Sequence, residues 1–249
     1  MLRYSTGCVE DYATCGVTPD LPATIPEGEN FRFWYNLGGF TLFTRWDNGN
    51  VFGSDFRDGA TADLDPGGGS DVPEIYLFAG HGICQNPPVA TSPDFILVCG
   101  NFGKPDATII GTSSRWGNGG GNLRFAFIDA SCPMDLVSIL NQWGPAFRGL
   151  HVATGHSGTV TQDALDSPTR GSQLAAYTSG ALWLIPHLSV GDAWMIAGIN
   201  DIQTGCCAVV VGGGVELAEA EDRRDNEKVK DDRADPTATN WLAWRWVCR

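Results

Sequence analysis

The chain has 249 residues, 43 % hydrophobic and 18 % charged, so it can bury a large core and is too apolar for general disorder. Its formal net charge of −13 argues against the clustered cations that nucleic-acid binding draws on, and every apolar run breaks before the ~18 residues a membrane span needs. The start, MLRYSTGCVEDYATC, has neither the basic opening nor the continuous apolar stretch of a secretory signal, which suits a cytoplasmic chain or a mature secreted one.

Residues 1–30 read as an irregular lead-in containing Pro and Gly. Residues 31–56 carry aromatic and β-branched clusters broken at Gly38-Gly39 and Asn48-Gly49, which predicts antiparallel strands in an N-terminal β extension spanning 1–60. Residues 58–71, with Gly67-Gly68-Gly69, predict a loop. Four short apolar runs follow, at 75–79, 95–99, 123–128 and 150–154. Nearly unbroken runs of this length are what strands look like when both faces of a sheet are covered.

Leu136, Ile139, Leu140 and Trp143 have helical spacing after Pro133, residues 172–185 predict a buried helix, and Ser189-Val190-Gly191-Asp192 resembles a capping box opening a helix through Ile202. Trp183 and Trp194 then fall in helical periodicity as core, whereas Trp116 could wall a cleft. Residues 207–211 and 244–247 are late strands. Between them Glu216–Asp235 has 14 charged residues of 20, which predicts a charged exposed loop over 216–240. The expected fold is a single α/β domain over 1–249: a three-layer, mostly parallel sheet with helices on both faces and an antiparallel N-terminal extension.

In open α/β sheets the reactive groups collect at the carboxyl ends of the strands. Three runs end in such groups: His81 with Gly82, Cys132, and His156 with Ser157. Cys132, between a strand and an expected helix, would be a thiol activated by the helix N-terminus, with its own amide free for an oxyanion. His81 would be the general acid–base, and Gly82, without a side chain, would bring a second amide close to a carbonyl. Asp129, His156, Ser157 and Trp116 are candidate substrate-binding residues lining the same cleft.

Eight cysteines with no C-x-x-C pair argue against structural zinc and permit disulfides, with Cys8–Cys15 and a bridge to Cys248 the easiest pairings and Cys132 an awkward place for one. Neither a cofactor nor a metal is expected, since His81, His151, His156 and Asp129 lack ligand spacing and the glycines of 117–121 precede a strand instead of opening a helix.

The segments YLFAGHG (76–82) and FAFIDASC (125–132), whose His81 and Cys132 are 51 residues apart, resemble the caspase-like fold of caspases, legumains, gingipains and clostripain-type peptidases. The resemblance implies a His81/Cys132 dyad with Gly82 as an oxyanion donor, acting on a peptide or protein substrate, with a basic side chain as one option. Ser131, inserted before Cys132, and Pro133-Met134 after it depart from that pattern. Trp116, the stretch GLHVATGHSGT (149–159) and Asp192–Trp194 also resemble an uncharacterised bacterial domain family of this fold. Two other readings remain open: a non-catalytic binding or scaffold domain of the same fold, and a serine α/β-hydrolase using Ser157 in an approximate G-x-S-x-G elbow with His187.

Overall fold

Alternation along the buried strands sorts their side chains onto two faces that are covered in different ways. The computed structural model describes the chain apart from residues 16–18, 57–71, 85–94, 99–107, 110–113, 115, 118–121, 136–138, 161–165, 182–184, 200–205 and 249. In chain order the elements are β1 (Arg3–Cys8), α1 (Thr24–Leu37), β2 (Thr41–Asp47), β3 (Ile75–Ala79), β4 (Gly82–Ile83), β5 (Phe95–Leu97), β6 (Thr108–Ile109), β7 (Phe125–Asp129), α2 (Ile139–Gln142), β8 (Val152–Ser157), α3 (Asp166–Ser179), α4 (Val190–Ile199), β9 (Cys207–Gly214), α5 (Leu217–Asn226) and β10 (Trp241–Cys248).

The main sheet has seven strands in the order β10-β9-β8-β7-β3-β1-β2. From β2 to β8 every pairing is parallel, and β9 and β10 add an antiparallel edge. The protein is therefore α/β with a mostly parallel mixed sheet. Tyr4, Ile75, Leu77, Phe125, Phe127, Val152, Ala208 and Val210 point to one face, under Phe31 and Tyr35 of α1, Leu174 of α3 and Trp194 of α4. Their neighbours Tyr76, Phe78, Ala126, Ile128, Ala153 and Val209 point to the other, where short helix α2 and less regular chain pack over them. No helix among the described residues is long and apolar enough to cross a membrane.

The antiparallel pairing lies at the C-terminal edge of the sheet, whereas the expected antiparallel N-terminal extension is parallel β1 and β2 joined through α1. Thr24, Glu27, Gly28, Phe31, Arg32 and Tyr35 are buried on one side of α1, which is helical periodicity with two charged residues set inside it. The aromatic cluster that suggested strands is thus a helix face, with Phe31 and Tyr35 stacked 4.3 Å apart. The run at 95–99 enters a separate antiparallel sheet, β4-β5-β6, instead of the main one. The predicted loop at 58–71 and Trp183 lie outside the described residues.

Helix α4 starts as the capping pattern requires, the Asp192 amide donating to Ser189 Oγ at 3.2 Å. The charged run is not an exposed loop. It forms α5 and a following segment that docks on the amino ends of β7 and β8, burying Arg223 and Glu227. Arg124 and His151, just before those strands, meet Glu227 Oε1 at 3.3 and 2.5 Å, and His151 Nε2 is 2.9 Å from Asp235. The two buried charges of the run, Arg223 and Glu227, are thereby partnered inside the fold, while Glu216, Glu221, Asp222, Lys230, Asp232 and Asp235 stay exposed.

Candidate functional site

Parallel β3 and β7 are neighbours in the sheet, so the chain leaving each strand emerges on the same edge. Gly82 and Ser131 touch there: a Cβ on Gly82 would lie 1.8 Å from the Ser131 carbonyl oxygen. A cleft of about 550 Å³ opens at this point, and His81, Gly82, Cys84, Ser131, Asp20 and Thr159 are among its walls. Two motifs 51 residues apart thus reach one cleft.

His81 is held from three directions. Its amide donates to Tyr12 Oη at 2.8 Å, the Tyr12 ring meets the imidazole edge-on with centroids 4.5 Å apart, and Nε2 lies 2.8 Å from the Pro19 carbonyl oxygen. A carbonyl only accepts, so Nε2 carries the proton and Nδ1 remains the basic nitrogen of the neutral ring. Sequence reasoning missed Tyr12 and Pro19, because nothing in a lead-in segment signals that it will fold over a strand end 69 residues away.

Cys132 differs from expectation in three respects. It is disulfide-bonded to Cys84, whose Cα is 5.1 Å away, so the place judged awkward for a bridge holds one. It lies in a turn instead of at a helix N-terminus, with φ +64°, a left-handed conformation rare for a residue with a side chain. Its amide donates to the Gly158 carbonyl at 3.0 Å and is not free for an oxyanion. The physical reason is local: with Met134 donating to the His156 carbonyl at 3.0 Å, the turn is tied to the end of β8 and cannot start a helix at Pro133.

The four candidate substrate-binding residues lie away from the described walls of the cleft. Asp129 and His156 occupy inward positions of β7 and β8 on the helix-covered face, fully buried. Asp129 pairs with the Arg170 guanidinium of α3 and accepts from His156 Nε2 at 3.1 Å. Burial alone would raise the Asp129 carboxyl, but Arg170 and His156 outweigh it and hold the group below the usual carboxylate range. Burial lowers the His156 imidazole, with Asp129 opposing in part. Trp116 is core, its ring 5.7 Å from that of Trp143 and its Nε1–H donating to the Phe56 carbonyl at 3.1 Å. Ser157 is the last residue of β8, paired with Cys207, so it is on a ladder and not on a strand-to-helix elbow.

Cys8 is a free buried thiol, so it makes no bridge to Cys15, whose side chain lies outside the described residues. Cys248 is bridged, with Cys207 as its partner. Among the described residues Cys206 is also a free thiol, buried 4.0 Å from His156 Nδ1, and burial pushes it up to about 11.

The geometry defines a class: an α/β domain with a mostly parallel sheet and a cleft at the carboxyl ends of its central strands. Residues 9–246 match the family described as a domain of unknown function (DUF6345), and the chain belongs to that family. No curated protein matches the chain.

Proposed function

We propose that the protein is a cysteine-dependent amide-bond hydrolase, described here in an oxidised, latent state, with Cys132 as nucleophile and His81 as general acid–base. One observation carries the reading: the ends of β3 and β7 bring His81, Gly82 and Ser131 to the wall of one cleft, with buried Cys132 directly behind Ser131 and bridged to Cys84 of that wall. The resemblance of YLFAGHG and FAFIDASC to caspase-like peptidases adds support.

Once its sulfur is free, the Cys132 thiolate attacks a peptide carbonyl carbon, and the C–N bond breaks as the imidazolium of His81 gives a proton to the leaving amine. Neutral His81 then takes a proton from water, which attacks the thioester and returns the thiol. Asp20, on the cleft wall, supplies negative charge for a basic substrate side chain. Asp129 does not, because Arg170 already neutralises it.

The test is the pH profile of Cys132 alkylation by iodoacetamide in reduced, folded protein, for wild type and His81→Ala. The expected result is labelling well below the ordinary thiol value of about 8.5, lost in the variant. An ordinary profile that ignores His81 refutes the reading. A binding domain without turnover would then take its place, a reading favoured by the Cys132 amide already being bonded to Gly158.

A further inference from the structure

The Cys84–Cys132 bridge is presented to solvent unevenly. Cys84 is partly exposed and forms part of the cleft wall, whereas Cys132 is 3 % exposed and sits behind it. A thiolate entering from solvent therefore meets the Cys84 sulfur first. Displacement at one sulfur of a disulfide expels the other as a thiolate. Attack at Cys84 consequently leaves the incoming thiol on Cys84 and releases the sulfur of Cys132.

The two arms of the bridge are also anchored unequally. The Cys132 turn is kept by backbone hydrogen bonds that do not involve sulfur: Cys132 to Gly158 at 3.0 Å, Met134 to His156 at 3.0 Å, and Asp135 back to the Cys132 carbonyl at 3.2 Å. A left-handed non-glycine residue persists only where its surroundings hold it, and these bonds are that support. Cys84 instead follows a two-residue strand, β4, and among the described residues of this arm only Gly82 and Ile83 are in register with β5. These anchors favour movement of the Cys84 arm over the Cys132 turn when the S–S bond opens.

The Cys207–Cys248 bridge makes the comparison. It joins directly opposed residues at the end of an eight-residue β9–β10 register, so reduction leaves its two sulfurs side by side and ready to close again.

We propose that Cys84–Cys132 is a thiol–disulfide exchange site, opened by a dithiol reductant through attack at Cys84. The first thiolate forms a mixed disulfide on Cys84 and expels the Cys132 thiolate. The second thiol of the reductant then displaces the Cys84 thiolate and leaves as its own disulfide, so the bridge takes up the two electrons the dithiol gives. That the released Cys132 then works as a nucleophile rests on the hydrolase reading; the exchange itself does not.

The experiment treats the full oxidised chain with graded dithiothreitol, then with glutathione as a monothiol probe, followed by acid quench, alkylation and peptide mapping. The expected results are opening of Cys84–Cys132 at roughly tenfold less dithiothreitol than Cys207–Cys248, and glutathione on Cys84 with Cys132 free. Near-UV circular dichroism should remain native at that point. Glutathione on Cys132, or opening only where the native spectrum is lost, overturns the exchange site. Cys84→Ser separates the two ideas: it should expose Cys132 to iodoacetamide without reductant. If that labelling occurs and does not depend on His81, the hydrolase reading fails and the exchange site stands. Should this variant not fold, the wild-type mapping decides alone.

Discussion

Replacing Gly82 with alanine tests whether the two strand ends truly touch. The added methyl would sit 1.8 Å from the Ser131 oxygen, 2.8 Å from its carbonyl carbon and 2.9 Å from its nitrogen. All three are backbone atoms, so no side-chain rotation relieves the contact. Restoring an ordinary separation of about 3.4 Å moves the 131–132 turn by roughly 1.6 Å, and overpacking of this kind costs about 3 kcal/mol at the upper end of its usual range. For a domain of this size that lowers Tm by roughly 6–12 °C. The same shift carries the Cys84 and Cys132 Cα atoms from 5.1 Å toward the ~6.8 Å limit for bridging, so free thiol should rise as well. Thermal unfolding by circular dichroism and a thiol assay on the oxidised protein read both effects. Gly49→Ala, with no atom within 4 Å of its Cβ, is the control and should stay within about 1 °C of wild type. If Gly82→Ala matches wild type in both Tm and thiol content, the contact on which the site is built is absent.

Arg170→Met should destabilise the fold by about 3–5 kcal/mol in chemical denaturation, because it strands the Asp129 carboxylate in the core, and adding Asp129→Asn should recover much of the loss. Stability should fall as pH drops below about 6.5, since the unfolded chain then takes a proton that buried His156, with its lowered pKa, refuses. His156→Gln should lessen the loss between pH 6.5 and 5, leaving the part due to His187, which burial also lowers, while the loss due to Asp129 begins only below about 4; an unchanged slope in His156→Gln would contradict a neutral His156.

Strands β3, β7 and β9 are legible because their runs are apolar on both faces, β8 and β10 because each contains a short apolar run, and the fold class follows from them. Strand β1 is not, because Ser5, Thr6 and Gly7 give it no apolar signature. Its polar atoms are instead bonded across elements, Arg32 donating to Thr6 Oγ1 at 2.9 Å and the Thr44 amide to Ser5 Oγ at 3.1 Å. In α1 the helical period was present, but Glu27 and Arg32 occupy its inward side and hide it. The meeting of His81-Gly82 with Ser131-Cys132 could be read from adjacent parallel strands. The bridge to Cys84 could not, because eight cysteines permit many pairings. Nor could the partner of Asp129, since Arg170 lies 41 residues away on α3.

Strand parity explains why the site has fewer members than the sequence offered. Along β7, Phe125, Phe127 and Asp129 share the helix-covered face, and His156 reaches that face from β8. Asp129, the acid at the end of β7, is therefore bonded to His156 and to Arg170, beneath α3 and α4, and not to His81. His81 emerges beyond the end of β3, and its orientation falls to neutral partners, the Tyr12 hydroxyl and the Pro19 carbonyl. Neutral partners fix the tautomer but give no carboxylate to stabilise the imidazolium formed during turnover. On the hydrolase reading the cleft therefore offers a dyad without a third acid, and the reading rests on Cys132, which the structure holds oxidised.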